Sequence, residues 1–439
     1  MEEDSRDFNS TIMSEISATQ TCLSEQLQLL YEFGCSDLNM PFLSVVPRFR
    51  EGTDWDADMH ILEIIAVCLT TGQPGDAVAA AFDKRNYIAL ILAKNGEVTH
   101  ADYKATTALW SVLTKAQSWI DLLPFLVYRS KANLDKRIRN LHQSFTETCD
   151  ALHSAATEYS STLTSSVPLD HEFPHSGIYR KAMYPDAQIR ADHILHDLIN
   201  TCTATSTFEV QQEQKSFVQL LPGKSSAWQF ELITRLERLK RRLDRFCQYS
   251  KIGRLVKLAK RYPNLPFRWV EEDIFAMGNG ALEICINPMQ AVEHVLKRQL
   301  SPQQIDAIIQ RFPHLMRNWE QRRCIRPCIH AELRIILHLS SLSPAGLSAE
   351  LSQKYTPQAI GCSKRSCLCC ALWIDSFKVG TNKMWVISGS GGKAYSNWAL
   401  PSTIGEMSRV RVQRSFDLRV ISAVSRRVAG MLTTVIEYA

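Results

Sequence analysis

Two short stretches restrict the fold of this chain more than anything else in it. Residues 328–338 read CIHAELRIILH and residues 361–372 read GCSKRSCLCCAL. The first places a histidine two residues before a glutamate, where an apolar helical pattern begins. The second sets cysteines at 362, 367, 369 and 370, and six of the thirteen cysteines fall between Cys324 and Cys370. The N-terminus, MEEDSRDFNS, is acidic and has neither the look of a secretory signal nor that of a transit peptide. No run of about 18 apolar residues suggests a membrane span. The expectation is an intracellular protein, cytoplasmic or nuclear, with no membrane association. In a reducing compartment, clustered thiols read as metal ligands before disulfides.

The 439 residues suggest two or three domains, and a hydrophobic content of 45% supports sizeable cores. A formal charge of +5 neither requires nor excludes a nucleic-acid partner. Residues 1–20 are polar and expected to be disordered. Over 58–71, Met59, Leu62, Ile65, Ala66 and Leu69 recur at helical spacing. After the turn signal QPGD, the apolar runs VAAAFD and YIALILAKN flank Lys84-Arg85-Asn86, which predicts a buried β-hairpin over 77–94.

From about 100 to 265 the texture becomes helical, with helices expected over 101–126, 131–164, 187–201 and 226–262. Shorter helices follow to 323. One of them, SPQQIDAIIQRF, has Ser301 as N-cap and Pro302 at its first position. From 324 onward, helices are expected at 330–342 and 367–377 and strands at 358–363 and 383–388. Strands alternating with helices imply an α/β layered sheet.

The two opening stretches together match the needs of zinc-assisted deamination. Such a metal takes three protein ligands, keeps one position open, and works beside a carboxylate that is not a ligand. At the first turn of a helix His330 and Glu332 point in different directions, so one can bind the metal while the other faces a substrate. Cys367 and Cys370, three apart on a helix, share a face, and a helix N-terminus favours thiolate. Cys369 and Cys370 would diverge by about 100°, a poor chelate, so Cys369 and Cys362 read as packing. Two other readings account for the same residues. His330 could cap a helix among buried cysteines, or a structural zinc could recruit Cys362 or Cys369 as a fourth ligand.

His330-Ala331-Glu332 with Cys367-Leu368-Cys369-Cys370 resembles the cytidine-deaminase-like superfamily. More narrowly, IHAELRIILHL followed by IGCSKRSCLCCALWI is similar to the large fungal family of OTT-type deaminase-like proteins. The resemblance covers about 328–400. It implies a three-layer α/β/α core with a large all-helical insertion: 21–99 as its first part, 100–323 as insertion or accessory region, and 324–439 as the zinc-binding part. It further implies one sheet joining the 77–94 hairpin to the C-terminal strands. Two departures stand out. Ser366 occupies the place where the superfamily has proline, which fits the narrower family, and Gly391 stands where many members carry histidine.

The expected activity is hydrolytic deamination of cytosine or adenine, in a nucleoside or a nucleic acid. Zn²⁺ would sit on His330, Cys367 and Cys370, with Glu332 as proton shuttle. The alternative is an inactive deaminase-fold protein that keeps zinc for structure and serves as a scaffold. Asn95 would reach the site as a substrate contact, or else be a turn residue in Asn-Gly. Tyr395 and Trp398 could stack on a base or anchor their loop in the core. His338 reads as a packed histidine and Arg334 as a solvated arginine. Between Arg235 and Arg261 eleven basic residues face two acidic ones, a local charge of +9. Arg238, Arg241, Arg242 and Arg245 form a stripe that could track a nucleic-acid backbone or simply be solvated. The oligomeric state is open.

Overall fold

The computed structural model describes residues 2–34, 54–73, 75–162, 212, 226–271, 281–341, 357–381, 383–401 and 407–437. The helix expected at 187–201 lies outside them. In chain order the first elements are α1 (Glu2–Glu32), α2 (Asp54–Leu69), β1 (Val78–Asp83) and β2 (Ala89–Lys94). Then come α3 (His100–Lys115), α4 (Leu123–Thr162), α5 (Ser226–Cys247) and α6 (Gly253–Arg261). They are followed by β3 (Phe267–Trp269), β4 (Leu282–Glu283), α7 (Pro288–Leu296), α8 (Pro302–Arg311), α9 (Leu315–Gln321) and β5 (Cys324–Ile325). The last are α10 (Ala331–Ser341), β6 (Gln358–Cys362), α11 (Leu368–Thr381), β7 (Trp385–Ile387) and α12 (Met407–Glu437). The described residues form two compact units. One comprises 1–67, 75–99 and 266–439, the other 68–74 and 100–265.

The first unit is mixed α/β, mostly helical, around a five-stranded mixed sheet ordered β3-β2-β1-β6-β7. The hairpin forms where the two apolar runs predict it, with Val78 opposite Lys94 and Asp83 opposite Ala89. β6 joins it antiparallel through Ala79 to Cys362 and Ala80 to Gly361, so hairpin and C-terminal strands share one sheet. β3 pairs parallel with β2, and β7 parallel with β6. One face of β1, β2 and β6 (Ala79, Ala81, Ile91, Ala93, Ile360, Cys362) enters a core with Leu333 and Ile336 of α10 and Leu368 and Trp373 of α11. On the other face α2 lies against β6 with no space for a side chain. A Cβ on Gly361 would come within 2.1 Å of the Glu63 backbone nitrogen.

Two boundaries differ from those the sequence suggests. The helical stretch was expected to run to 323, yet 266–323 belongs with the sheet. β3 hydrogen-bonds to β2, and Leu300, Ile308, Leu315 and Trp319 are buried in the same core. Residues 1–20, expected to be disordered, lie largely within α1. Gln20 is fully buried, its amide donating to Trp398 O and accepting from Leu400 N, both at 2.9 Å. α12 closes the core with Phe416, Val420, Val424, Val428 and Leu432, a stripe at four-residue spacing. Its Asp417 accepts from the indole of Trp373 at 2.9 Å, which fixes α11.

The second unit is helical in its described elements. α4 departs from helical geometry at Ser130, whose hydroxyl donates to Thr70 O at 2.9 Å, so the break expected near residue 130 is a kink. α5 buries Leu232, Leu236, Leu239, Leu243 and Phe246 along one face. Among the described residues no helix is long and apolar enough to cross a membrane.

Candidate metal centre

The loop after β2 and the start of α10 are tied together by side chains. Oδ1 of Asn95 accepts from the Ala331 backbone N–H at 2.9 Å, satisfying one of the orphan donors of the first helical turn. Arg334 donates through Nε to Ile329 O at 3.0 Å and through Nη1 to Gly96 O at 2.8 Å. Gly96 holds φ +83°, a left-handed conformation that glycine adopts without a Cβ penalty. The turn bearing His330 and Glu332 is thus aimed by a loop more than two hundred residues earlier. Replacing Asn95 by alanine removes the cap and is expected to cost about 1 kcal/mol of stability, read as a lower urea midpoint at unchanged slope.

The second half of the site comes from the entry to α11. A glycine-containing loop holds it. Gly391 N–H and the Ser390 hydroxyl donate to Ser366 O at 2.8 and 3.0 Å, and Leu368 N–H donates to Lys393 O at 2.9 Å. Cys370 N–H donates to Sγ of Cys367 at 3.3 Å, as helix-start thiolates favour. Nδ1 of His330 lies 3.4 Å from Sγ of Cys370. The donor atoms of His330, Cys367 and Cys370 all fall within 4.8 Å of one another. Tetrahedral zinc with its usual bond lengths would hold a nitrogen and a sulfur about 3.6 Å apart, so the three donors fit that ion. The other ring nitrogen, Nε2, is buried with no hydrogen-bond partner among the described residues, leaving Nδ1 as the atom turned to the thiols. Neither Cys362 nor Cys369 enters the cluster.

Electrostatics act on the same three groups in different directions. Burial pushes the Cys367 thiol up, but the Cys370 thiol and the His330 ring outweigh it and bring it down to about 6. Burial also disfavours a charged His330, yet Cys367 and Glu332 hold its pKa above the usual value. Burial drives Cys369 and Cys362 upward, and Cys370 as well, so position in the donor cluster and not burial separates Cys370 from the other two. Glu332 is 6% exposed beside the three donors, and its charge acts on all of them.

Of the remaining expected residues, Asn95 reaches the site with its side-chain oxygen engaged by the helix. The ring of Tyr395 stands edge-on to His330 at 6.2 Å and is 38% exposed. Trp398 is 0% exposed, which leaves no ring face open for stacking; it anchors its loop. Arg334, expected to be solvated, is buried because its guanidinium ties two loops. His338 is half-buried, and burial with Arg268 and Arg85 nearby lowers its pKa. On α5, Arg242 is turned inward onto Asn140 O and the Ser144 hydroxyl, and Arg238 lies 3.6 Å from Glu147. Arg241 is partly buried and Arg245 exposed. The positioning roles of Asn95 and Arg334 were missed in sequence. The one available signal was an arginine among apolar residues four after the histidine.

A family model described as "OTT_1508_deam:-like deaminase" matches residues 329–402. No curated protein matches the chain, and no solved structure does. The matched segment contains His330, Glu332, Cys367 and Cys370 together with the glycine-containing loop. Over residues 329–402 this chain is thus similar to the OTT-type deaminase-like family.

Proposed function

We propose that the protein is a zinc-dependent hydrolytic deaminase of a nucleobase, cytosine or adenine, built on a three-layer α/β/α deaminase-like core. The observation that carries this reading is a three-donor set, His330, Cys367 and Cys370, with the carboxylate of Glu332 beside it and no fourth protein donor in the cluster among the described residues. Three ligands suit a catalytic ion, whereas structural zinc takes four. His330, Cys367 and Cys370 would hold Zn²⁺, which when bound would lower the pKa of a water and so supply a nucleophile near neutral pH. Glu332, free of ligand duty, would take one proton from the attacking water and give it to the ring nitrogen, then take a second from the added hydroxyl and give it to the leaving amine. His330 is oriented through the Asn95 cap, and the two cysteines through the 389–393 loop. The net reaction replaces the amino group of the base by oxygen and releases ammonia.

A second reading, an inactive scaffold with zinc for structure, draws on the burial of the site: His330, Glu332, Cys367 and Cys370 are each at most 6% exposed. One experiment separates the two. Zinc content and ammonia release are measured with cytidine, adenosine and single-stranded oligonucleotides, for the native protein and Glu332→Gln. Deaminase action predicts equal zinc in both and a rate lower by about 10²–10⁴-fold in the variant. Equal zinc with no ammonia from either protein establishes the scaffold reading instead.

A further inference from the structure

The basic character of the second unit was expected along α5, but the structure uses several of those cations internally. Arg235 donates to Glu147 O at 2.8 Å and pairs with Glu231. Arg238 faces Glu147, and Arg242 is bound to α4. The next helix differs. From 245 to 265 the chain carries six basic and no acidic residues. α6 and the 3-10 turn before it bury Ile252, Leu255, Val256 and Ala259, which leaves Lys251, Arg254, Lys257, Lys260 and Arg261 exposed on the opposite side. Among the described residues Lys251, Arg254, Lys257 and Lys260 make no ion pair, and Arg261 lies over the ring of its neighbour Tyr262 at 5.4 Å. Lys260 acts on the nearby Asp121, whose carboxylate is itself held by the backbone N–H groups of Gln117 and Ser118.

We propose that this face of α6 is a nucleic-acid backbone interface, and that the phosphate contacts expected along Arg238–Arg245 belong chiefly to Lys251, Arg254, Lys257, Lys260 and Arg261. The stripe is about 15 Å long at 1.5 Å per residue. One strand of a duplex presents a phosphate every 3.4 Å or so along its axis, so the stripe lies alongside about four. A membrane surface fits less well, because interfacial helices embed an apolar face and the apolar face of α6 is used in the core. A protein partner fits less well too, since lysine is depleted from protein interfaces and aromatic residues enriched. The proposal is independent of the metal centre.

The test uses the full chain and fluorescence anisotropy with a 20-base-pair duplex and a 30-nucleotide single strand, titrated between 50 and 200 mM salt. Four phosphate contacts predict a log–log salt slope of about −3.6 for the duplex and about −2.8 for the single strand. Lys251→Glu with Arg254→Glu and Lys257→Glu should weaken binding more than about tenfold and flatten the slope by about 2. A set of equal charge change on α3 and α4, Lys104→Glu with Lys115→Glu and Lys136→Glu, should weaken it far less. If the glutamate set unfolds by circular dichroism, the glutamine set at the same three positions takes its place. Three results overturn the proposal: no binding at 50 mM salt, equal weakening by both sets, or capture of phosphatidylserine vesicles or polyglutamate in preference to nucleic acid.

Discussion

Cys370→Ser should leave the purified protein with less than a tenth of a zinc ion per chain, while Cys369→Ser keeps the native content. The two positions are adjacent, both fully buried, and both carry thiols raised by burial. They differ in direction. Sγ of Cys370 faces His330 at 3.4 Å, whereas Cys369 packs in the core and stands outside the donor cluster. Losing a residue that merely orients a ligand costs about 10–100-fold in metal affinity, and losing one of three ligands should exceed that. Cys369→Ser places a hydroxyl among apolar neighbours, which costs about 1–3 kcal/mol if it stays unpaired. The variant should therefore melt earlier yet remain metal-loaded. Elemental analysis after gel filtration decides it. Zinc lost from the Cys369 variant and retained by the Cys370 variant would reverse the assignment.

The second large effect concerns a glycine far from any chemistry. Gly361→Ala should destabilise the protein by more than about 3 kcal/mol, beyond the usual range for overpacking, and Gly361→Val should not yield folded protein. The reason is what a Cβ there would strike: the backbone nitrogen of Glu63 at 2.1 Å and the backbone carbon of Leu62 at 2.2 Å. Rotamer changes cannot move backbone, so α2 would have to leave the sheet. Gly391→Ala is the control. Its Cβ would sit 3.7 Å from Cβ of Arg365, an ordinary contact, and its melting temperature should stay within a few degrees of native. A Gly361→Ala protein that melts like the native one would mean that α2 does not pack on β6 as described.

The elements that carry the site were legible because their patterns are local. VAAAFD and ALILAK are continuous apolar runs of strand length, and both become buried strands of six residues. The histidine–glutamate and cysteine pairs announce themselves by spacing. What stayed hidden depends on partners remote in sequence. β3 is three residues long, FRW, too short for any period to show, and it exists because β2 offers it an edge. Gln20 sits in a polar N-terminal stretch, and its burial follows from the backbone of Trp398 and Leu400 nearly four hundred residues later. Asn95 in Asn-Gly reads as a turn, and the turn is there, but its side chain also caps a helix from a separate part of the chain. The cations of α5 and α6 look alike in sequence. Only packing shows which of them are engaged.

The cap that Asn95 places on α10 has a consequence for how a metal would be captured. Cys367 immediately precedes α11 and Cys370 lies in its first turn, so their half of the site exists whenever the start of α11 is formed. His330 joins them only when α10 is seated against the hairpin loop. An ion that binds all three must then favour the assembled sheet over every form in which the hairpin is undocked, by the free energy its third ligand contributes. Metal occupancy and sheet closure would thus be thermodynamically linked, and chelation should loosen hydrogen-exchange protection in β1 and β2 before it reaches α12.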